Sequence, residues 1–328
     1  MKSLALRVLE SSGLFALARN TSKRMARILM YHNFGRGDEA NTDAVSVKAA
    51  RNQLAYLRRH FQVVSLTHLV EQLKTGEPLD PHMVALTVDD GRRNFYDFCF
   101  PILQEFQIPA TFFVVSSFIR REDWLWTDKI WWLAEQPQSV EELHPDRIEH
   151  FFEKMNRLRA DARNGYIDSV AKRMGVPIPR EAPSKYAPCS WSELREMADS
   201  GLVEIGSHSV HHPIFSTLTD EESRWELIAS RDHLEAELAR KVTCFCFPNG
   251  KPVDYFPRHL RQVKDAGYGS AVLTHFGMAD RGADPFTLPR IGVGGQSDLL
   301  SFRKYVDGVE YYQGRLKAAI HTSAMGRT

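Results

Sequence analysis

Short apolar runs recur along the chain at intervals filled by helical patterns, and this alternation constrains the fold more than any other feature. Candidate strands fall at 27–32, 61–64, 83–88, 111–115, 203–207, 243–247, 270–273 and 288–293. Several are apolar nearly throughout, as expected of parallel strands buried on both faces. Helical signals stand between them. Ser65 can cap a helix carrying Leu66, Leu69, Val70 and Leu73 that stops near Gly76. Ser190 with Glu193, and Thr219 with Glu222, have capping-box spacing; the second helix should reach about Arg240. Pro257 opens another helix, which Gly267 ends. Strand–helix alternation on this scale predicts an α/β barrel or a doubly wound sheet. At 328 residues, one decorated barrel-type domain suffices.

The rhythm breaks at about 118–189, a stretch rich in charge, tryptophan and, towards its end, proline. It reads as a largely helical insertion with a Pro-rich connector. Trp124, Trp126, Trp131 and Trp132 crowd its start, and large aromatics more often bury apolar area than stack on ligands. The barrel proper is expected over 27–300, with a C-terminal helix and tail at 301–328. Residues 1–26 combine Lys2, Arg7, Arg19, Lys23 and Arg24 with Leu4, Leu6, Val8, Leu9, Leu14, Phe15 and Leu17. Such an amphipathic helical segment either packs on the barrel or lies on an anionic membrane surface. Arg7 and Glu10 interrupt its apolar run, so it is a poor signal peptide, and no run approaches the ~18 apolar residues of a membrane helix. The expectation is a cytoplasmic protein, with residues 1–26 packed on the barrel or, as the alternative, in peripheral membrane contact. A net charge of +1 gives no footprint for nucleic acid. Cys99, Cys189, Cys244 and Cys246 are too sparse for a disulfide framework and read as small buried thiols.

Polar residues gather where strands end. The run 83–88 leads into Asp89-Asp90-Gly91, and 203–207 leads into His208-Ser209-Val210-His211-His212-Pro213. In barrels the C-terminal strand ends carry the active site. Two carboxylates and two or three imidazoles on one rim could hold a metal with positions left open for water and substrate. His208 and His212 are four apart, so a turn could bring both rings to one side. Each motif is weak alone: Asp-Asp-Gly is a good turn, and His-x3-His is common on surfaces.

Together they resemble a known family. Leu86-Thr87-Val88-Asp89-Asp90-Gly91 is similar to the T-F-D-D-G motif of the polysaccharide deacetylase family (NodB homology, carbohydrate esterase 4), and His208-Ser209-Val210-His211-His212 to its H-[ST]-x-x-H motif. Pro109-Ala110-Thr111-Phe112-Phe113-Val114 looks like its P-A-T-F-F-V strand. Phe245-Cys246-Phe247-Pro248-Asn249-Gly250 and Leu288-Pro289-Arg290-Ile291 resemble two segments of one branch.

The resemblance implies an irregular (β/α)7-8 barrel with a helical insertion. It implies Asp90, His208 and His212 as ligands of one divalent metal, Zn²⁺ first and Co²⁺ or Ni²⁺ next, with Asp89 as catalytic base. The N–H of Asn249 would stabilise the oxyanion. The implied substrate is an N-acetylated glycan or its lipid-linked precursor. Two departures stand out. The arginine that orients the base in the commonest form of the family is missing, since Phe245 or Cys246 occupies its place; Arg290 either replaces it or only ties down the rim. The late L-x-H motif that supplies the general acid is also absent, while Ile28-Leu29-Met30-Tyr31-His32 resembles that motif moved to the N-terminus, as in a circularly permuted branch. His32 is therefore the expected acid, with His275 as competitor. His211 falls on a variable position and reads as a surface or supporting histidine. Other readings in the same fold are hydrolysis of a small amide or imide, and an inactive glycan-binding barrel; intact Asp89, Asp90, His208 and His212 argue against the last.

Overall fold

The computed structural model describes residues 10–37, 44–295 and 298–325. Ten strands are present among them: β1 (Arg27–Tyr31), β2 (Phe34–Gly35), β3 (Val45–Ser46), β4 (Gln62–Val64), β5 (Met83–Val88), β6 (Ala110–Val114), β7 (Val203–Ser207), β8 (Cys244–Cys246), β9 (Ser270–Val272) and β10 (Ile291–Gly292). Eight form one parallel sheet in the order β10-β1-β5-β6-β7-β8-β9, with β4 pairing the start of β5. The segment before β10 returns to the other end of the sheet. Leu288 bridges Val272 in parallel, while Ile291 lies opposite Leu29 of β1. One stretch of five residues thus joins the last strand to the first, and the sheet closes as an irregular barrel. Each of the eight expected runs contains a strand, offset by a residue or more at several ends. The β2–β3 pair was not expected: two-residue strands carry no periodicity to read.

The period of two sorts the strand residues into an inner and an outer layer. Ile28, Ala85, Phe113, Cys244, Cys246, Val272 and Leu288 pack together with Leu66, Leu69 and Leu73 of the helix Leu66–Thr75. Their alternates Leu29, Leu86, Phe112, Phe245 and Ala271 pack against surrounding helices through Leu54, Leu103, Leu194, Leu227 and Val263. Gly206 makes room for the inner Phe113 ring opposite it, where a Cβ would lie 2.4 Å from Cδ1.

Local signals in the sequence operate as expected. Ser65 accepts the N–H of His68, and both capping boxes form, Ser190 with Glu193 and Thr219 with Glu222. The last of these helices ends at Leu238, slightly short of Arg240. All four cysteines are buried and free.

The insertion carries helices Trp126–Ala134, Ile148–Asn156 and Ala160–Met174. They share a small core, including Trp126, Ile130, Phe151 and Ile167, that also takes in Ile214 from the loop after β7. Trp124 and Trp126 are buried, and Trp131 and Trp132 pack half-buried beside them. Near the termini, the helix Leu14–Thr21 places Phe15 and Ala18 against Val309, and Arg19 pairs with Asp307 at 3.0 Å. The remaining residues of the amphipathic segment, Lys2 to Leu9, lie outside the described residues. Among the described residues no helix is long and apolar enough to cross a membrane.

Candidate active site

The inner row of the barrel continues past the strand ends into charge. Counting by twos, Ile28 leads to His32, Ala85 to Thr87 and Asp89, Gly206 to His208, Cys244 to Cys246, and Leu288 to Arg290. Thr87 is buried and donates its hydroxyl to the Leu29 carbonyl at 2.7 Å; the Asp89 N–H donates to Tyr31 at 2.9 Å. These bonds hold the end of β5 beside the end of β1, and so bring Asp89 next to His32.

Two adjacent aspartates serve different partners because the backbone turns sharply between them. Asp90 has φ +84° and Gly91 φ +95°; a Cβ on Gly91 would meet Ile119 Cδ1 at 3.0 Å. Ser209, His212 and Asn249 also take positive φ. Non-glycine residues in that region are costly and concentrate at functional sites.

Asp90 Oδ1 lies 3.5 Å from His208 Nε2 and 3.6 Å from His212 Nε2. All three residues are buried, and their ligand atoms lie within 4.8 Å of one another. Bonds of about 2.0–2.1 Å to one tetrahedral cation require neighbouring donors about 3.3 Å apart, so the trio fits a single divalent ion. Nδ1 of His208 lies 2.8 Å from the Cys246 carbonyl, a contact that turns Nε2 towards Asp90. Burial alone would raise Asp90, but Arg92 and then His208 outweigh it and hold the carboxyl well below its usual range. Burial, then the charge of His208, lowers His212 to about 3. The site thus holds an anion beside a neutral imidazole lone pair, a donor set suited to a metal ion.

Asp89 occupies a different environment. Arg290, fully buried, grips both carboxylate oxygens at 2.7 Å and also donates to Thr87 Oγ1 at 3.0 Å, the Leu273 carbonyl at 2.8 Å and Cys246 Sγ at 3.1 Å. Burial opposes the charge on Asp89, yet Arg290 more than offsets it and lowers the pKa. Through these bonds Arg290 braces the rim and contacts Asp89, the expected base. A second group of ligand atoms, Asp89, His208 and Cys246, also converges. It suits a cation poorly, because Arg290 already occupies both Asp89 oxygens and burial raises the Cys246 thiol.

His32 Nε2 lies 3.8 Å from Asp89 Oδ2, with its side chain 40% exposed, so it faces both Asp89 and solvent. His275 makes no described contact with Asp89 or Asp90; its carbonyl accepts the Arg290 N–H, and burial lowers its ring pKa. Asn249 follows Pro248 in a turn whose carbonyl accepts from Thr274, and no hydrogen bond among the described residues uses its N–H. His211 stays apart from the trio. Its Nδ1 pairs with the buried Glu226 at 2.8 Å, and its ring stacks on Trp225.

Sequence reasoning missed one group. Arg92 is buried, donates to Asp90 Oδ2, and forms two bonds to Asp128, 3.0 Å from Nε and 2.6 Å from Nη2. Asp128 belongs to the first turn of the insertion helix Trp126–Ala134. Trp126 of the same turn donates its indole N–H to the His212 carbonyl at 3.0 Å. The insertion thus supports two of the three candidate ligands from behind.

The family model described as Polysaccharide deacetylase matches residues 76–271. His32 and Arg290 fall outside that stretch, yet lie on the same rim as Asp89. The chain is 43% identical over 295 residues to a poly-beta-1,6-N-acetyl-D-glucosamine N-deacetylase of Escherichia coli (strain K12), covering 81% of this chain and 36% of that relative's length. Two solved structures share the fold. IcaB from Ammonifex degensii has TM-score 0.60 and 18% identity, covering 86% of this chain and 97% of the other. The Streptococcus pyogenes deacetylase PplD in complex with acetate has TM-score 0.59 and 18% identity, covering 86% and 98%. With the family match spanning most of the barrel and both of its motifs converging on one buried rim, the chain belongs to the polysaccharide deacetylase family.

Proposed function

We propose that the protein removes N-linked acetyl from an amino sugar in a polysaccharide, an oligosaccharide or a lipid-linked glycan precursor, using a divalent metal, Zn²⁺ first, held by Asp90, His208 and His212. The observation that carries this reading is the division of labour between the two aspartates. Asp90 turns one oxygen to two imidazoles, while Asp89 is gripped by Arg290 next to His32.

A cation bound there would polarise the acetamide carbonyl and lower the pKa of a water molecule from ~15.7 towards ~7. Asp89, kept ionised by Arg290, accepts the proton of the attacking water. The unused Asn249 N–H donates to the oxygen that gains charge. His32, half open to solvent, protonates the departing amine. Arg290 touches no reacting atom; it fixes the orientation and charge of Asp89.

The E. coli relative is named for a β-1,6-linked N-acetylglucosamine polymer, which makes β-1,6-linked oligomers the first substrate to test. Metal-loaded protein is incubated with these oligomers, with chitooligosaccharides and with small cyclic amides, and released acetate or ring-opened product is measured. Acetate from either glycan, reduced ~10²–10⁴-fold by Asp89→Asn at unchanged metal content, is the expected result. Turnover of cyclic amides alone would refute the deacetylase reading.

A further inference from the structure

Beside the candidate metal-binding trio, the insertion and the barrel flank an open cavity of about 610 Å³. His211 and Pro213 line it on either side of His212 in the chain, but none of Asp90, His208 and His212 does. Trp126, Arg163, Trp225 and Glu226 contribute to its other walls.

Arg163 has no evident partner. It projects from the helix Ala160–Met174 and is 2% exposed, with its guanidinium carbon 4.3 Å from the centre of a Trp126 ring. Its Nε and Nη1 make no hydrogen bond, and no acidic residue among the described residues pairs with it. The acids around the cavity are mostly committed elsewhere. Asp123 pairs with Lys129 at 2.7 Å, Glu222 with Arg159 at 2.6 Å and Glu226 with His211 at 2.8 Å; Glu221 is exposed. Burial lowers Arg163 only to about 10, so it remains a cation at neutral pH. A buried charge is costly unless paired, and contact with an aromatic face offsets only part of that cost.

We propose that this cavity binds an oxyanion, a carboxylate or phosphate carried by a sugar, through Arg163. A planar guanidinium matches either group with two parallel N–H bonds. Trp225 supplies a sugar-sized surface: it is 51% exposed and stacked on the His211 ring at 5.5 Å and 13°. Glu226 holds that ring in place through Nδ1 at 2.8 Å. That the oxyanion arrives on a glycan rests on the deacetylase reading; the site itself uses neither metal nor turnover.

The test is therefore a binding measurement. Metal-loaded protein is titrated with glucuronate, inorganic phosphate and N-acetylglucosamine by calorimetry, with tryptophan fluorescence reporting the surroundings of Trp126. Glucuronate should bind and be weakened at least tenfold by both Arg163→Gln and Trp225→Ala, and metal content should be unchanged. Phosphate weakened by Arg163→Gln but not by Trp225→Ala would support the same site and identify free phosphate as its source. N-acetylglucosamine binding should be indifferent to Arg163→Gln. Ala160→Phe keeps Arg163 but fills the cavity, and should block both anions even if Arg163→Gln does not fold. The proposal is overturned if neither anion binds the wild type, or if both bind Arg163→Gln or Ala160→Phe as tightly as the wild type. Because no step requires deacetylation, its failure would leave the proposed reaction standing, and the converse also holds.

Discussion

Replacing Arg290 with methionine should destabilise the protein mainly by leaving Asp89 charged and alone. Arg290 is fully buried, Asp89 is 1% exposed, and two bonds of 2.7 Å join them. Charge-assisted bonds contribute about 1.5–3 kcal/mol each, and breaking a buried pair from one side costs about 3–5 kcal/mol. Arg290→Met should therefore lose about 3–5 kcal/mol at pH 7, read by urea unfolding with tryptophan fluorescence in the presence of a chelator. The double variant Asp89→Asn/Arg290→Met removes the stranded charge and should recover most of that loss. The pH dependence follows from the same cause. In the wild type Asp89 is held below its unfolded value, so its contribution is full above the unfolded pKa and is lost as pH falls through the folded one. Without Arg290 only burial remains, the folded pKa rises above the unfolded value, and the penalty should shrink as pH falls through it. If the double variant is as unstable as the sum of the two single ones, with a penalty independent of pH, the electrostatic account is wrong.

His208→Ala should abolish stoichiometric metal binding, measured by elemental analysis after gel filtration, since it removes one of three converging ligand atoms. Asp128→Asn should weaken metal affinity ~10–100-fold without removing any ligand, as loss of a group that orients a ligand does; unchanged affinity in a competition titration would show that Arg92 holds Asp90 unaided. His32→Ala should lose far more activity on an acetamide than on an activated acetate ester, whose leaving group needs little protonation. The same selective loss in His275→Ala, and not in His32→Ala, would reverse the assignment of the acid.

What could be read from the sequence was what repeats or stays local. Buried parallel strands are apolar on both faces, so β5 stands out and ends where Asp89 begins. Capping boxes need only three residues of spacing, and both formed. Arg290 could be singled out because Leu288-Pro289-Arg290-Ile291 resembles a family segment, but its two-oxygen grip on Asp89 depends on barrel closure, which no local pattern encodes. Arg92 follows Gly91 directly and could have been weighed as a neighbour of Asp90. Its partner Asp128 lies 36 residues further on, inside an insertion whose charges resemble any solvated helix until the fold buries one. The cavity around Arg163 was illegible for the same reason: a single arginine in a charged stretch gives no sign that it will have no acid beside it.

The stretch 288–292 closes the barrel and also delivers Arg290 to a carboxylate 201 residues earlier in the chain. During synthesis, Asp89 leaves the ribosome long before its cation. Until that last segment docks between β9 and β1, the carboxyl can stay ionised only by remaining wet, and it can be buried only by taking a proton. An incompletely closed barrel therefore either floods its centre or silences its own base. Under the proposed reaction, competence is thereby tied to completion of the fold: a chain cut short before residue 288 would carry Asp90, His208 and His212 and still lack the cation that grips Asp89.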